Sequence, residues 1–185
     1  MVSKKDLSEQ DIRTKFITPA IEKAGWDRMT QLGEDVPLTD GKIFIRGNLF
    51  ARGKLKRADY VLYYKPNIPI AIIEAKDNNH SVRSGIQQAL GYRELLKDVP
   101  CVYSSNGDAF FEHDFTSSNG KIEREISLDE FPTPEELWKR YKKLNNIEEP
   151  QEITVAEQDY FYDSTGKKPR YYQQVAINRI VEAIA

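Results

Sequence analysis

Cysteine and histidine are nearly missing from this chain, which has one thiol, Cys101, and two imidazoles, His80 and His113. A lone thiol forms no internal disulfide, and two isolated histidines do not build a His/Cys zinc site. Any metal bound here is therefore expected to be held by oxygen. Also absent is a run of about 18 apolar residues, the length a membrane-spanning helix needs. The start, Met1-Val2-Ser3-Lys4-Lys5-Asp6, lacks the apolar core of a secretion signal, so a cytoplasmic protein is expected. Net charge is small as well, −2, which argues against a protein that coats nucleic acid. The average hides a segregation, because residues 41–57 (GKIFIRGNLFARGKLKR) carry six Lys/Arg and no acid. That strip either contacts phosphates or guards an exposed sheet edge.

What is present is enough to fold. With 185 residues, 39% of them apolar and 30% charged, the chain can bury a core of its own. Ser8 with Asp11 three residues on has the form of a capping box. Ile12, Phe16, Ile17, Ile21 and Ala24 then recur at helical spacing, predicting a helix over Glu9–Ala24 that Pro19 kinks or restarts and Gly25 closes. Short β-type runs follow at Ile43–Ile45, Ala58–Tyr64 and Ile68–Ala75, the last two separated by Lys65-Pro66-Asn67 as a turn. A helix is expected from about Arg83 to Leu96, then a strand from Pro100 to Ser104, with Asn106-Gly107 marking a hairpin. Thr133-Pro134-Glu135-Glu136 starts a helix whose apolar stripe is Leu137, Trp138, Tyr141 and Leu144. Tyr63, Tyr64, Tyr103, Phe110 and Phe111 are expected to pack the sheet. The reading is one domain over residues 1–144, a polar and acidic linker or arm over 145–169, and a helical start of a further domain over 170–185.

The strand Ile68–Ala75 is apolar on both faces yet ends in Glu74-Ala75-Lys76, and two charges at the end of a core strand need a reason. Period-two alternation puts Glu74 and Lys76 on one side, alongside Ile70 and Ile72. If the two strands pair across a four-residue loop, Tyr64 opposes Pro69 and Asp59 opposes Glu74. Facing carboxylates repel, unless a cation sits between them or one takes a proton. A divalent ion held by Asp59 and Glu74, with Lys76 beside it, suits metal-assisted phosphodiester hydrolysis, and Mg²⁺ favours such a sparse oxygen set. The bland alternatives are an Asp59 ion pair with Arg57 or Lys56 and a simple Glu74–Lys76 pair. Glu9 is in a first helical turn, where a carboxylate needs no further role, and His80 is most simply an exposed loop residue.

Asp59 followed by Glu74-Ala75-Lys76 resembles the PD-(D/E)xK nuclease signature, with Ala58 where the proline usually stands. Gln88-Ala89-Leu90-Gly91-Tyr92 is similar to the QxxxY motif of the RecB-like branch, its two side chains one helical turn apart. Together with Ala24-Gly25-Trp26 and Phe131-Pro132-Thr133-Pro134-Glu135-Glu136-Leu137-Trp138, these motifs resemble the N-terminal nuclease domain of the type I restriction-modification R subunit. The resemblance implies an α/β, restriction-endonuclease-like core with a central mixed β-sheet flanked by helices. It implies catalysis by Asp59, Glu74 and Lys76, support from Gln88 and Tyr92, and Mg²⁺ held by Asp59 and Glu74. Glu9 is a third metal-ligand candidate, ahead of Glu22. Expected partners are double-stranded DNA and the methyltransferase and specificity subunits. Arg170-Tyr171-Tyr172-Gln173-Gln174-Val175-Ala176-Ile177 resembles the entry to a superfamily 2 motor, with Gln173 as its adenine contact. No GxxxxGK[ST] phosphate loop follows, so ATP is expected to serve only a full-length subunit. Other readings are a non-catalytic docking module or a stand-alone RecB-like repair nuclease.

Overall fold

The computed structural model describes residues 3–38, 43–46, 49–52, 56–66, 68–118, 120–148, 150, 153 and 180. Most of the 145–169 arm, the motor-like segment with Gln173, and the side chains of the basic strip before Lys56 lie outside the described residues.

A six-stranded mixed sheet carries the fold, in the order β1-β4-β5-β6-β7-β8. Its strands are β1 (Leu32–Pro37), β4 (Arg57–Tyr63), β5 (Pro69–Ala75), β6 (Cys101–Ser105), β7 (Ala109–Asp114) and β8 (Glu123–Ser127), while β2 (Ile43–Arg46) and β3 (Leu49–Arg52) form a separate hairpin. Only β5 and β6 run parallel, which requires a crossover, and α3 (Ile86–Arg93) supplies it. Every residue of β5 from Ile70 to Ala75 is buried, as a central strand covered on both faces should be.

One face is covered by the N-terminal helix and by α4 (Pro134–Leu144), whose Ile12, Ile17, Ile21, Leu137, Trp138 and Tyr141 pack with Tyr60, Ile73 and Tyr103 of the sheet. The other is covered by α3, where Ile86, Ala89 and Tyr92 meet Val61, Ile72 and Val102. The expected capping box forms, Ser8 Oγ accepting from the Asp11 amide, and α4 opens on a like one, Thr133 Oγ1 accepting from the Glu136 amide. The N-terminal helix is not uniform, however. α1 (Glu9–Ile12) passes into a π-helical stretch, Arg13–Ile17, before α2 (Thr18–Lys23), so Pro19 sits in the first turn of α2. That location spares the proline part of the interior penalty.

Two details of the expected register are corrected. Tyr60 pairs with Ile73 and Val61 with Ile72, but Tyr63, not Tyr64, pairs with Pro69, because the ladder shifts between Leu62 and Tyr63. Proline has no N–H to donate, so the start of β5 is where a ladder breaks most cheaply. The same irregularity separates Ile70 from Ile72, which pack into opposite cores. The shift lies at the turn end and leaves the other end of the pair aligned.

Candidate active site

Because β4 runs against β5, the beginning of one strand meets the end of the other, and this brings Asp59 beside Glu74. The Ala75 amide donates to Asp59 Oδ2 at 2.7 Å, so the carboxylate is held by the neighbouring strand's backbone. Lys76 Nζ donates to Glu74 Oε1 at 2.7 Å and reaches Gln88 Oε1 at 3.5 Å. Gln88 Nε2 in turn donates to the Tyr92 hydroxyl at 2.5 Å. Five residues from two strands, the residue that follows β5, and a helix therefore lie together as one constellation.

Glu74 carries the electrostatic load. Its side chain is 3% exposed, and Oε2 is buried without a hydrogen-bond partner. Burial, and then the Asp59 charge, push its carboxyl up to about 7 against the pull of Lys76. Burial alone would lower the Lys76 ammonium, but the Glu74 bond and charge, with smaller help from Glu9 and Asp59, hold it above the usual lysine value. Glu9, in the first turn of α1, is raised by partial burial and then by Asp59, while Lys76 and Arg13 pull the other way. It faces the same group of charges. Glu22 is exposed on α2, and His80 is an exposed loop residue bonded to Asp77 Oδ1 at 3.0 Å.

An orphaned oxygen on a buried acid beside a partly exposed one fits a divalent cation, and an oxygen-only donor set fits a hard one. Among the described residues no three acidic, histidine or thiol side chains converge as a ready-made cage. Two carboxylates completed by water and substrate phosphate is the pattern Mg²⁺ accepts.

Residues 43–121 match the family model for the type I restriction enzyme R protein N terminus, a span containing all five residues of the constellation but not Glu9. Over 181 residues the chain is 48% identical to the Escherichia coli type I restriction enzyme EcoAI endonuclease subunit, which covers 97% of this chain and 22% of that subunit. The chain is similar to the type I R-protein N-terminal family. A solved fragment assigned as an HsdR subunit of a type I restriction enzyme from Vibrio vulnificus YJ016 superposes with a TM-score of 0.78 at 36% identity, over 96% of this chain and 32% of that one. The likeness carries the restriction-endonuclease-like core of the R-protein N terminus over to this sheet.

The site holds two features that the motifs do not announce. The ion partner of Asp59 is neither Arg57 nor Lys56 but Arg13 of the first helix, whose NH1 lies 3.8 Å from Asp59 Oδ1. The signal is available in the sequence, since Arg13 stands four and eight residues before Ile17 and Ile21, on their side of the helix. The second is Gly85, just before α3, where an added Cβ would lie 2.9 Å from Glu74 Cγ.

Proposed function

We propose that this chain is the Mg²⁺-dependent endonuclease module of a type I restriction subunit, hydrolysing phosphodiester bonds of double-stranded DNA. Translocation driven by ATP would belong to a downstream motor, and the methyltransferase and specificity subunits would be its partners. The chain spans 22% of the length of its EcoAI relative, so the module reading concerns this domain alone. Among the described residues no helix is long and apolar enough to cross a membrane, and the one cysteine is a buried free thiol, in keeping with the cytoplasm.

The observation that carries the reading is the orphaned, buried Glu74 Oε2 beside Asp59 and Lys76. Asp59 and Glu74 would hold the cation, with Glu9 as an outer carboxylate. When bound, that cation supplies Lewis-acid stabilisation of a phosphodiester under attack by water. Lys76, released in part from Glu74, places its ammonium against the charge that develops on the phosphate in the transition state. Gln88 and Tyr92 brace Lys76 from α3 and keep its reach short. Calorimetric titration with Mn²⁺ is expected to show binding that disappears in Asp59→Ala. Lys76→Ala is expected to abolish DNA cleavage in the assembled enzyme without changing the circular dichroism of the domain. A wild-type domain that binds no divalent ion would leave the docking-module reading in place of this one.

A further inference from the structure

We infer that Arg13 and Asp35 form a positioning couple that fixes Asp59 through its backbone carbonyl. The purpose of that couple, though not its geometry, rests on the nuclease reading.

Arg13 is 5% exposed, and a guanidinium so deeply placed costs several kcal/mol unless it is well paired. An aliphatic residue there would serve packing alone. Instead the guanidinium spans two strands: NH2 donates to the Asp59 backbone carbonyl at 3.1 Å and NH1 to Asp35 Oδ1 at 3.0 Å. Beneath it lies the Tyr60 ring, 4.9 Å away, whose hydroxyl is 2.9 Å from Thr18 Oγ1. The residue just after Asp59 therefore packs against the same group that ties down Asp59 itself.

Asp35 is the second, independent sign. It sits in β1 with φ of 51°, a left-handed conformation that costs a non-glycine residue roughly 1–2 kcal/mol. Its neighbours Glu34 and Val36 keep their pairings with Tyr60 and Ala58, so the unusual backbone is confined to the one residue that bonds Arg13. The helix is unusual at the matching place, since the π-helical stretch begins at Arg13, and buried neighbours Ile12–Arg13 and Ile17–Thr18 stand at its two ends. Such stretches concentrate at functional sites. Asp59 thus has its carboxylate held by the Ala75 amide and its carbonyl held by Arg13, with Asp35 fixing the guanidinium.

Charge alone makes the opposite demand. A cation 3.8 Å from Asp59 opposes a divalent ion there, so its loss should tighten metal binding unless position matters more. The test uses Asp35→Asn and Arg13→Gln in the whole chain, with two measurements. Hydrogen exchange by NMR follows the Ala75 amide, the donor to Asp59, against the Lys76 amide, which bonds Ser105 O at 2.9 Å. Selective acceleration of Ala75 by tenfold or more in either variant is expected. Mn²⁺ titration is expected to show about tenfold weaker binding in Arg13→Gln, with Arg13→Lys intermediate. Equal exchange at the two amides in a folded variant, or Mn²⁺ binding unchanged or tighter, overturns the couple. If Arg13→Gln does not fold, the half-exposed Asp35→Asn carries both measurements, since asparagine tolerates the same backbone. Faster Ala75 exchange in a chain whose wild type binds no Mn²⁺ would sink the nuclease reading and keep the couple.

Discussion

Glu74 shows how the site sets local stability against function. Its carboxyl, raised to about 7 by burial and then by Asp59, binds a proton in the folded chain at pH values where the unfolded chain has lost it. Between the ordinary glutamate value and about 7, folding stability therefore falls as pH rises, and the full cost is present above that window. Glu74→Gln removes the charge and keeps an acceptor for Lys76. At pH 8 it should raise the unfolding free energy by about 1–3 kcal/mol, and at pH 5 it should change little. Urea denaturation at the two pH values checks this, and a variant less stable at pH 8 would mean that the Lys76 pair outweighs burial. The same variant should lose Mn²⁺ binding. Asp59 and Glu74 could be set side by side from the sequence because antiparallel pairing of two consecutive strands joins the start of one to the end of the other. Arg13 was harder to see, since a charged helix residue is read as facing water unless its distance from Ile17 and Ile21 is counted.

At the scale of elements, the end of β5 functions only because α3 can approach it. Gly85 has φ of −88°, which any residue can adopt, so its need is purely steric. A Cβ there would meet Glu74 Cγ at 2.9 Å and Glu74 Cβ and Ser104 Cβ at 3.1 Å. Gly85→Ala should cost about 1–3 kcal/mol by overpacking and displace Glu74. The expected result is a lower melting temperature together with weaker Mn²⁺ binding; a drop in stability with metal affinity intact would show that the Glu74 carboxylate is indifferent to the helix. Elements differ in how plainly the sequence shows them. α4 has an apolar stripe to read, and the central strands have unbroken apolar runs. The edge strands do not: β1 is Leu-Gly-Glu-Asp-Val-Pro with no fully buried residue, and β8 buries only Ile126. An edge strand presents one face or none to a core, so its pattern lacks the alternation that would reveal it. The shift between Leu62 and Tyr63 depends on how the turn closes, which pairing arithmetic from a loop length does not capture.

At the scale of the whole molecule, two buried glutamates stand out among the described residues, and their environments have opposite sign. Glu74 ends β5, whereas Glu112 lies on β7 under α4 and is 1% exposed. Tyr103 donates to its Oε1 at 2.8 Å, Arg140 to the same oxygen at 2.7 Å and Arg124 Nε to Oε2 at 2.5 Å, so β6, β7, β8 and α4 are joined at one carboxylate. Burial alone would raise its carboxyl, but the two arginines more than reverse that and hold it below the usual glutamate value. A depressed carboxyl contributes stability above its unfolded value and loses it as pH falls through the folded one. Glu112 thus protects the fold at neutral pH and fails in acid, while Glu74 weakens it at neutral pH and recovers as it protonates. The metal-free domain is expected to be most stable near about pH 5, between the two windows. Single variants separate the limbs: Glu74→Gln should flatten the decline above the maximum, and Glu112→Gln should flatten the acid limb. Glu112→Gln leaves two arginines facing a neutral amide, so it should also cost about 3 kcal/mol at pH 7. Melting temperatures of the three proteins from pH 3 to 9 test the pair together, and a wild-type maximum at pH 7 or above would show that Glu74 is ionised in the folded chain without the cost that its burial implies.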